Sequence, residues 1–146
     1  GGVVIVRGTS VINELCSILP EIIENGPNIK IVAALSWGLF HLQSEEYRRS
    51  VIKEDEWLDC MVITNTSLGN MSNWVQHPIV KEYSLSPDWD NSWRFGGNLE
   101  EVIDESHLSA HWQSKAIQKF VNKRKLRIDA LKKSIPENIF DKMGIE

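Results

Sequence analysis

Long apolar runs are missing from this chain: none approaches the ~20 residues that span a bilayer, so a membrane-embedded role is not expected. Cysteine is scarce. Cys16 and Cys60 stand far apart with no Cys-x-x-Cys pairing, which argues against a disulfide framework or a zinc site. Two small buried thiols in a reducing, cytoplasmic compartment are the expectation. Excess positive charge is also lacking. A net charge of −4 gives no general attraction to nucleic acid or membrane. The start, Gly1-Gly2-Val3-Val4-Ile5-Val6, has neither the basic opening nor the cleavage site of a signal peptide. It has no initiator Met either, so the chain is expected to be excised from a longer one. Among catalytic and phosphate-binding signatures, Gly-x-Ser-x-Gly, Gly-x-Gly-x-x-Gly and the P-loop pattern are all absent. Repeats, low-complexity tracts and an interdomain linker are absent too.

What is present reads as one soluble α/β domain over residues 1–146, with 42% hydrophobic and 25% charged residues. Val3 to Arg7 reads as a buried strand ending at Gly8-Thr9-Ser10. Ser10 is the expected cap of a helix whose apolar face carries Val11, Leu15, Ile18, Leu19, Ile22 and Ile23. Pro20 should kink or split that helix, because its nitrogen cannot bond to Cys16. Asn25-Gly26-Pro27-Asn28 stops it. Ile29 to Leu35 reads as a second strand, leading through Ser36 into a short helix around Leu39 to Gln43. Ser44, followed by Glu45 and Glu46, caps another helix to about Ile52. Met61 to Thr66 is a third strand. Pro78 to Leu85 is a fourth, weaker one at a sheet edge. Leu99 to Ser106 reads as a short acidic helix, and Ser109 as the cap of a long one carrying Trp112, Ala116, Phe120 and Val121. Strands alternating with helices predict a mostly parallel sheet covered on both faces.

The stretch Leu35 to Ile52, LSWGLFHLQSEEYRRSVI, combines Ser36-Trp37, Leu39-Phe40, Gln43, Tyr47-Arg48 and Val51 at a strand-to-helix turn. It resembles the Ser-Trp-(Glu)-Leu-Phe-x-x-Gln-x-x-x-Tyr-Arg-x-x-Val pattern in the C-terminal domain of transketolase-like thiamine-diphosphate enzymes. Gly38 stands where that family usually has Glu. Val3 to Ser10 is similar to the family's strand ending in Gly-Ser-Glu, with Val11 where an acid is common. Trp93-Arg94-Phe95-Gly96-Gly97 resembles its Phe-Gly-x-Ser loop without the Ser, and His107 to Trp112 resembles the segment capping its last helix. The likeness covers about residues 3–121; residues 122–146 read as a helical or irregular extension.

The resemblance implies a three-layer α/β/α sandwich with a mixed, mostly parallel sheet. It implies a C-terminal domain that is itself non-catalytic and serves packing and dimer assembly. The full-length enzyme would move a two-carbon ketol unit between sugar phosphates, using thiamine diphosphate and magnesium. Neither cofactor is expected on this chain alone, because the family's Gly-Asp-Gly motif is missing. The implied partners are upstream catalytic domains, or a chain carrying them, within a homodimer; nucleic acid and membranes are not expected partners. The C-terminal domain of a 2-oxo-acid dehydrogenase E1 component is the nearest alternative. A free-standing α/β module binding a small anion or nucleotide is the other.

The residues themselves leave several roles open. Gly8 and Thr9 form either a plain tight turn or a cradle of amides for an anion, with Ser36 and Trp37 expected nearby at the carboxyl edge. Trp37, Phe40 and Tyr47 read as helix core, or else as interface anchors. Trp89 and Trp93, with Arg94 beside them, belong to an interface or to a folded-down loop. His107 and His111 have the spacing of two metal ligands on a helix, but Ser109 lies between them and no third ligand is near. His41 and His77 have no visible partner. The basic run from Lys115 to Lys133 is expected to be a solvated helix face rather than an RNA site.

Overall fold

The computed structural model describes residues 1–94 and 96–135. Three parallel strands form the sheet: β1 (Val3–Arg7), β2 (Lys30–Ala33) and β3 (Cys60–Thr64), in the order β2-β1-β3. Val3 pairs with Lys30 on one side and with Cys60 on the other. Val, Ile and Met dominate β1 and β3 because both of their faces are buried, whereas β2 fully buries only Val32. Side chains alternate across the sheet. Val3, Ile5, Val32, Cys60 and Val62 enter one apolar cluster, and Val4, Val6, Met61 and Ile63 enter the other.

Among the described residues seven α-helices connect and follow these strands: α1 (Thr9–Asn25), α2 (Trp37–His41), α3 (Glu45–Val51), α4 (Pro78–Tyr83), α5 (Leu99–Glu105), α6 (Ala110–Asn122) and α7 (Arg124–Ser134). Helices α1 and α6 cover the Val4 face through Val11, Leu15, Ile117 and Phe120. The Val3 face packs against Trp37, Phe40 and Val51 of α2 and α3, together with Ile52, Met71, Trp74 and Val80. No helix among the described residues is long and apolar enough to cross a membrane.

Four local expectations are corrected. Helix α1 starts at Thr9, with Gly8 at the cap position and no side-chain cap, so Ser10 does not cap it. Pro20 lies exposed inside the helix without ending it, because Val11 and Leu15 before it and Ile18 and Ile22 near it hold one apolar face on the sheet. The segment read as a fourth strand is helix α4. Pro78 occupies its first turn, where no N–H is needed, and His77 Nδ1 accepts from the Ile79 amide at 3.2 Å. Only Leu85 keeps a strand-like role, in a parallel bridge to Ile63.

The last correction concerns charge. The basic run is split at Lys123 into α6 and α7, and Arg127 is fully buried rather than solvated. Its Nη2 donates to Asp59 Oδ1 at 2.5 Å and its Nη1 to the Phe120 carbonyl at 2.6 Å. Arg124 reaches the other Asp59 oxygen at 2.6 Å. This buried pair fixes α7 to the start of β3, since a lone buried charge there would cost several kcal/mol, roughly 3–5. Of the extension expected over residues 122–146, residues 136–146 lie outside the described residues, as does Phe95.

Candidate functional site

Because all three strands run in parallel, their carboxyl ends gather the chemistry-bearing turns on one edge. Gly8 follows β1, Ser36 follows β2, and Asn65 follows β3. Gly8 adopts φ +106°, a conformation few side chains accept. A Cβ there would also collide with the Asn65 side chain. This explains the glycine by close approach alone. Asn65 Nδ2 donates to Ser10 Oγ at 3.4 Å, and the Arg7 guanidinium meets only the Met71 sulfur, at 3.7 Å, among its described partners. The amides at the start of α1 have no side-chain cap, and Thr9 is exposed.

Ser36 and Trp37 turn out to be spoken for. Ser36 Oγ accepts from the Leu39 amide at 3.3 Å, which caps α2. The Trp37 ring enters an aromatic cluster with Phe40, Trp57 and Trp74, at centroid separations of 5.2 to 6.2 Å. Neither side chain is aimed at a ligand beside Gly8. Trp57 and Trp74 are the cluster members the sequence did not reveal. Both sit in short 3-10 turns, Asp55–Trp57 and Leu68–Trp74, where apolar residues have no helical or strand period.

Around this cluster the motif residues close on a single feature. Val32, Ala33, Leu35, Ser36, Leu39, Phe40, Gln43, Tyr47, Val51 and Trp74 line a hollow of about 350 Å³ beside β2. Six of these ten belong to the pattern that carried the family resemblance. Each end of the hollow is set by a cap: Ser36 for α2, and Ser44 for α3, whose Oγ accepts from the Tyr47 amide at 3.2 Å. Gln43 Nε2 donates to the Leu39 carbonyl at 3.1 Å, tying the connection between the two helices to α2. The rim is apolar and open: Leu35 is 81% exposed, Leu39 65% and Tyr47 52%, and Leu42 at the end of α2 is exposed as well. The Tyr47 side chain is therefore not core. Contiguous exposed apolar patches are a feature of interaction surfaces.

Trp93 and Arg94 lie elsewhere. Their loop is anchored to the turn after β3 by Asp88, which accepts from Ser67 Oγ at 2.7 Å and from Ser86 Oγ at 2.5 Å. These hydroxyls, Ser86 foremost, hold the Asp88 carboxyl below the usual carboxylate range. Arg94 donates two bonds to Asp90, at 2.8 and 3.0 Å, and one to the Pro87 carbonyl. Its guanidinium is thus committed and offers an anion little. Trp93 is 90% exposed, so it is not folded into the loop core.

Behind this loop stands a stack that sequence reasoning missed. Trp89, His107 and Trp112 lie ring on ring, with centroids 4.0 and 3.8 Å apart. Arg94 covers the outer face of Trp89 at 5.7 Å and Lys115 that of Trp112 at 5.0 Å. His107 takes φ +58° and precedes α6, as its position before Ser109 suggests. Burial, with the Arg94 charge second, pushes the His107 imidazole below its ordinary range. His111 makes only an edge contact with Trp112. The Ser109 hydroxyl donates to Asp104 instead of capping α6; Glu14 of α1 accepts from the Ala110 amide at 2.8 Å.

The thiols differ in setting. Cys16 is exposed, against the expectation of burial. Cys60 is buried, and burial pushes its thiol up to about 12, which makes it a poor nucleophile. Among the described residues no three His, Cys, Asp or Glu side chains converge where one cation could take them. The Gly-Asp-Gly motif that holds diphosphate and magnesium in the resembled family is missing from the sequence. No model of a known protein family and no curated protein matches this chain.

Proposed function

We propose that this chain is a docking domain of the kind that closes transketolase-like thiamine-diphosphate enzymes: a three-layer α/β/α unit, non-catalytic in itself. One observation carries the reading. Ser36, Leu39, Phe40, Gln43, Tyr47 and Val51 of the Ser-Trp…Tyr-Arg pattern gather around one apolar hollow, on which Leu35, Leu39 and Tyr47 are exposed. A core motif would be buried, and a catalytic motif would present acids, bases or cation ligands. An exposed apolar rim on two capped helices instead suits a rigid partner surface. The partner in this reading is the pair of catalytic domains that hold thiamine diphosphate and magnesium, and the whole assembly transfers a two-carbon ketol unit between sugar phosphates. A 2-oxo-acid dehydrogenase E1 component would use the same surface. The anion-binding alternative has less behind it, since Ser36, Trp37 and Arg94 are all engaged in intramolecular contacts.

The test is a pair of titrations with the purified 146 residues. With thiamine diphosphate and magnesium, calorimetry should give no heat and ketose phosphates should not turn over. Addition of the diphosphate- and pyrimidine-binding domains of the same enzyme should give saturable binding, and Leu39→Glu together with Leu42→Glu should weaken it by at least tenfold. Micromolar cofactor affinity of the chain alone, or docking indifferent to those substitutions, would contradict the reading.

A further inference from the structure

At the β3 edge of the sheet, where Leu85 bridges to Ile63, lies a cleft of about 240 Å³ that is both aromatic and basic. Tyr83, Ser84 and Leu85 enter it from the end of α4, and Trp112, Lys115, Ala116 and Lys119 from α6; His107 lines it as well. Spacings of three and four put the α6 residues on one stripe of that helix. None of these residues belongs to the hollow, which lies beside β2 on the other side of the sheet's central strand.

Three polar groups of the cleft are uncommitted. Among the described residues neither Lys115 nor Lys119 forms an ion pair with a carboxylate. Each ammonium is held over a ring instead, Lys115 5.0 Å from the centre of Trp112 and Lys119 5.8 Å from that of Tyr83. A ring fixes an ammonium without cancelling its charge. The third group is His107, wedged between Trp89 and Trp112 at φ +58°, a conformation few non-glycine residues take. No described group bonds to its ring nitrogens. Ser84, by contrast, is spent: its Oγ accepts from the Val62 amide at 2.9 Å and donates to the Val80 carbonyl at 2.6 Å.

Charge, lining and size narrow what could enter. Two ammoniums against the single carboxylate of Glu82 leave one positive charge, and burial keeps the imidazole uncharged at neutral pH. That balance matches a monoanion better than a phosphate dianion. It stands out on a chain of net charge −4, which offers anions no general attraction. Tyr83, Leu85, Trp112 and Ala116 are half-buried, an apolar lining that a bare ion would leave unused. The space falls short of the roughly 300 Å³ where drug-sized sites begin, and suits one ring and its substituent.

We propose that this cleft binds a small organic carboxylate carrying one flat apolar ring. Lys115, Lys119 and the N–H of His107 hold the carboxylate, and the ring lies against Tyr83 and Trp112 over Leu85 and Ala116. A neutral imidazole has one N–H to give. The two indoles fix it in place before a ligand arrives, so little ordering remains to oppose binding. The site does not depend on the docking role.

Titration of the full 146-residue chain with sodium benzoate at neutral pH, followed by proton–nitrogen correlation NMR, tests it. The Trp112 indole and Ala116 amide signals should shift saturably, with half-saturation at about 1 mM or below. Acetate lacks the ring, benzamide lacks the charge and inorganic phosphate lacks the ring and carries more charge; each should bind at least tenfold more weakly. Lys115→Gln with Lys119→Gln should weaken benzoate at least tenfold, with the rest of the spectrum in place because both side chains are exposed. Absence of saturable shifts up to about 10 mM benzoate would overturn the proposal. So would acetate, benzamide or phosphate binding as tightly as benzoate, or a double Gln variant that binds like the native chain. Leu39→Glu with Leu42→Glu should leave benzoate binding unchanged, so this site and the docking surface fail separately.

Discussion

At the scale of single residues, the sequence told polarity well and partners poorly. Ser44 is legible as a cap, because a hydroxyl before two glutamates and an apolar run has one good use. Arg127 is not. Nothing in Lys-Arg-Lys-Leu-Arg marks out Arg127, the buried one of the two guanidiniums that reach Asp59; only the packing of α7 on β3 decides it. His107 is a similar case, since its two stacking partners come from a loop 18 residues earlier and a helix 5 residues later. It also supports a prediction. Its imidazole faces the cations Arg94 and Lys115 and the carboxylates Asp104 and Asp90, and burial leads in lowering its proton affinity below that of the unfolded chain. The unfolded state therefore binds the proton more readily. The stabilisation it lends is present above the ordinary imidazole range, near pH 6.5, and is lost as pH falls through that range toward the depressed folded value. Thermal melts at pH 7.5 and 5.5 should show a larger fall in Tm for the native chain than for His107→Asn, a residue type that tolerates a positive φ. Equal falls would remove His107 from the account.

At the scale of elements, strands were easier to read than helices that break local rules. Val3 to Arg7 appears as expected, and the other two strands differ at their ends by one or two residues. Buried parallel strands must be continuous apolar runs, and these are. The Pro78 segment misled because Ile79, Val80 and Tyr83 are strand formers by type. The cap from His77 and the place of Val80 in the core made it a helix. Pro20 misled in the opposite direction: propensity said break, while the apolar stripe on both sides of it held the helix together. That conflict has a measurable consequence. Pro20→Ala restores an amide able to bond to the Cys16 carbonyl and removes the ring clash, worth about 3 kcal/mol. Some of this is offset by the extra freedom of the unfolded chain, about 0.4–1 kcal/mol. Urea unfolding should therefore show a gain of about 2 kcal/mol at unchanged m-value. A neutral or destabilising result would mean the helix is bent at Pro20 to suit its neighbours.

At the scale of the whole molecule, the parallel α/β order was legible because alternating strand and helix patterns admit few arrangements. Which surfaces remain uncovered was not legible. Leu35 reads from sequence as the end of a strand and Tyr47 as helix core or interface anchor, yet both are exposed beside the hollow. In the proposed reading, the exposed apolar rim beside β2 is a surface that something else covers. The central claim is that this something is a thiamine-diphosphate-binding pair of domains on the same polypeptide or on a partner. The most direct measurement is to sequence the coding DNA 5′ to the Gly1 codon in the source genome. The account predicts an open frame encoding a Gly-Asp-Gly motif with a downstream Asn, followed by a second domain that carries the activating Glu. An unrelated upstream domain, or a start codon immediately before Gly1 with no partner gene encoding those motifs, would contradict it.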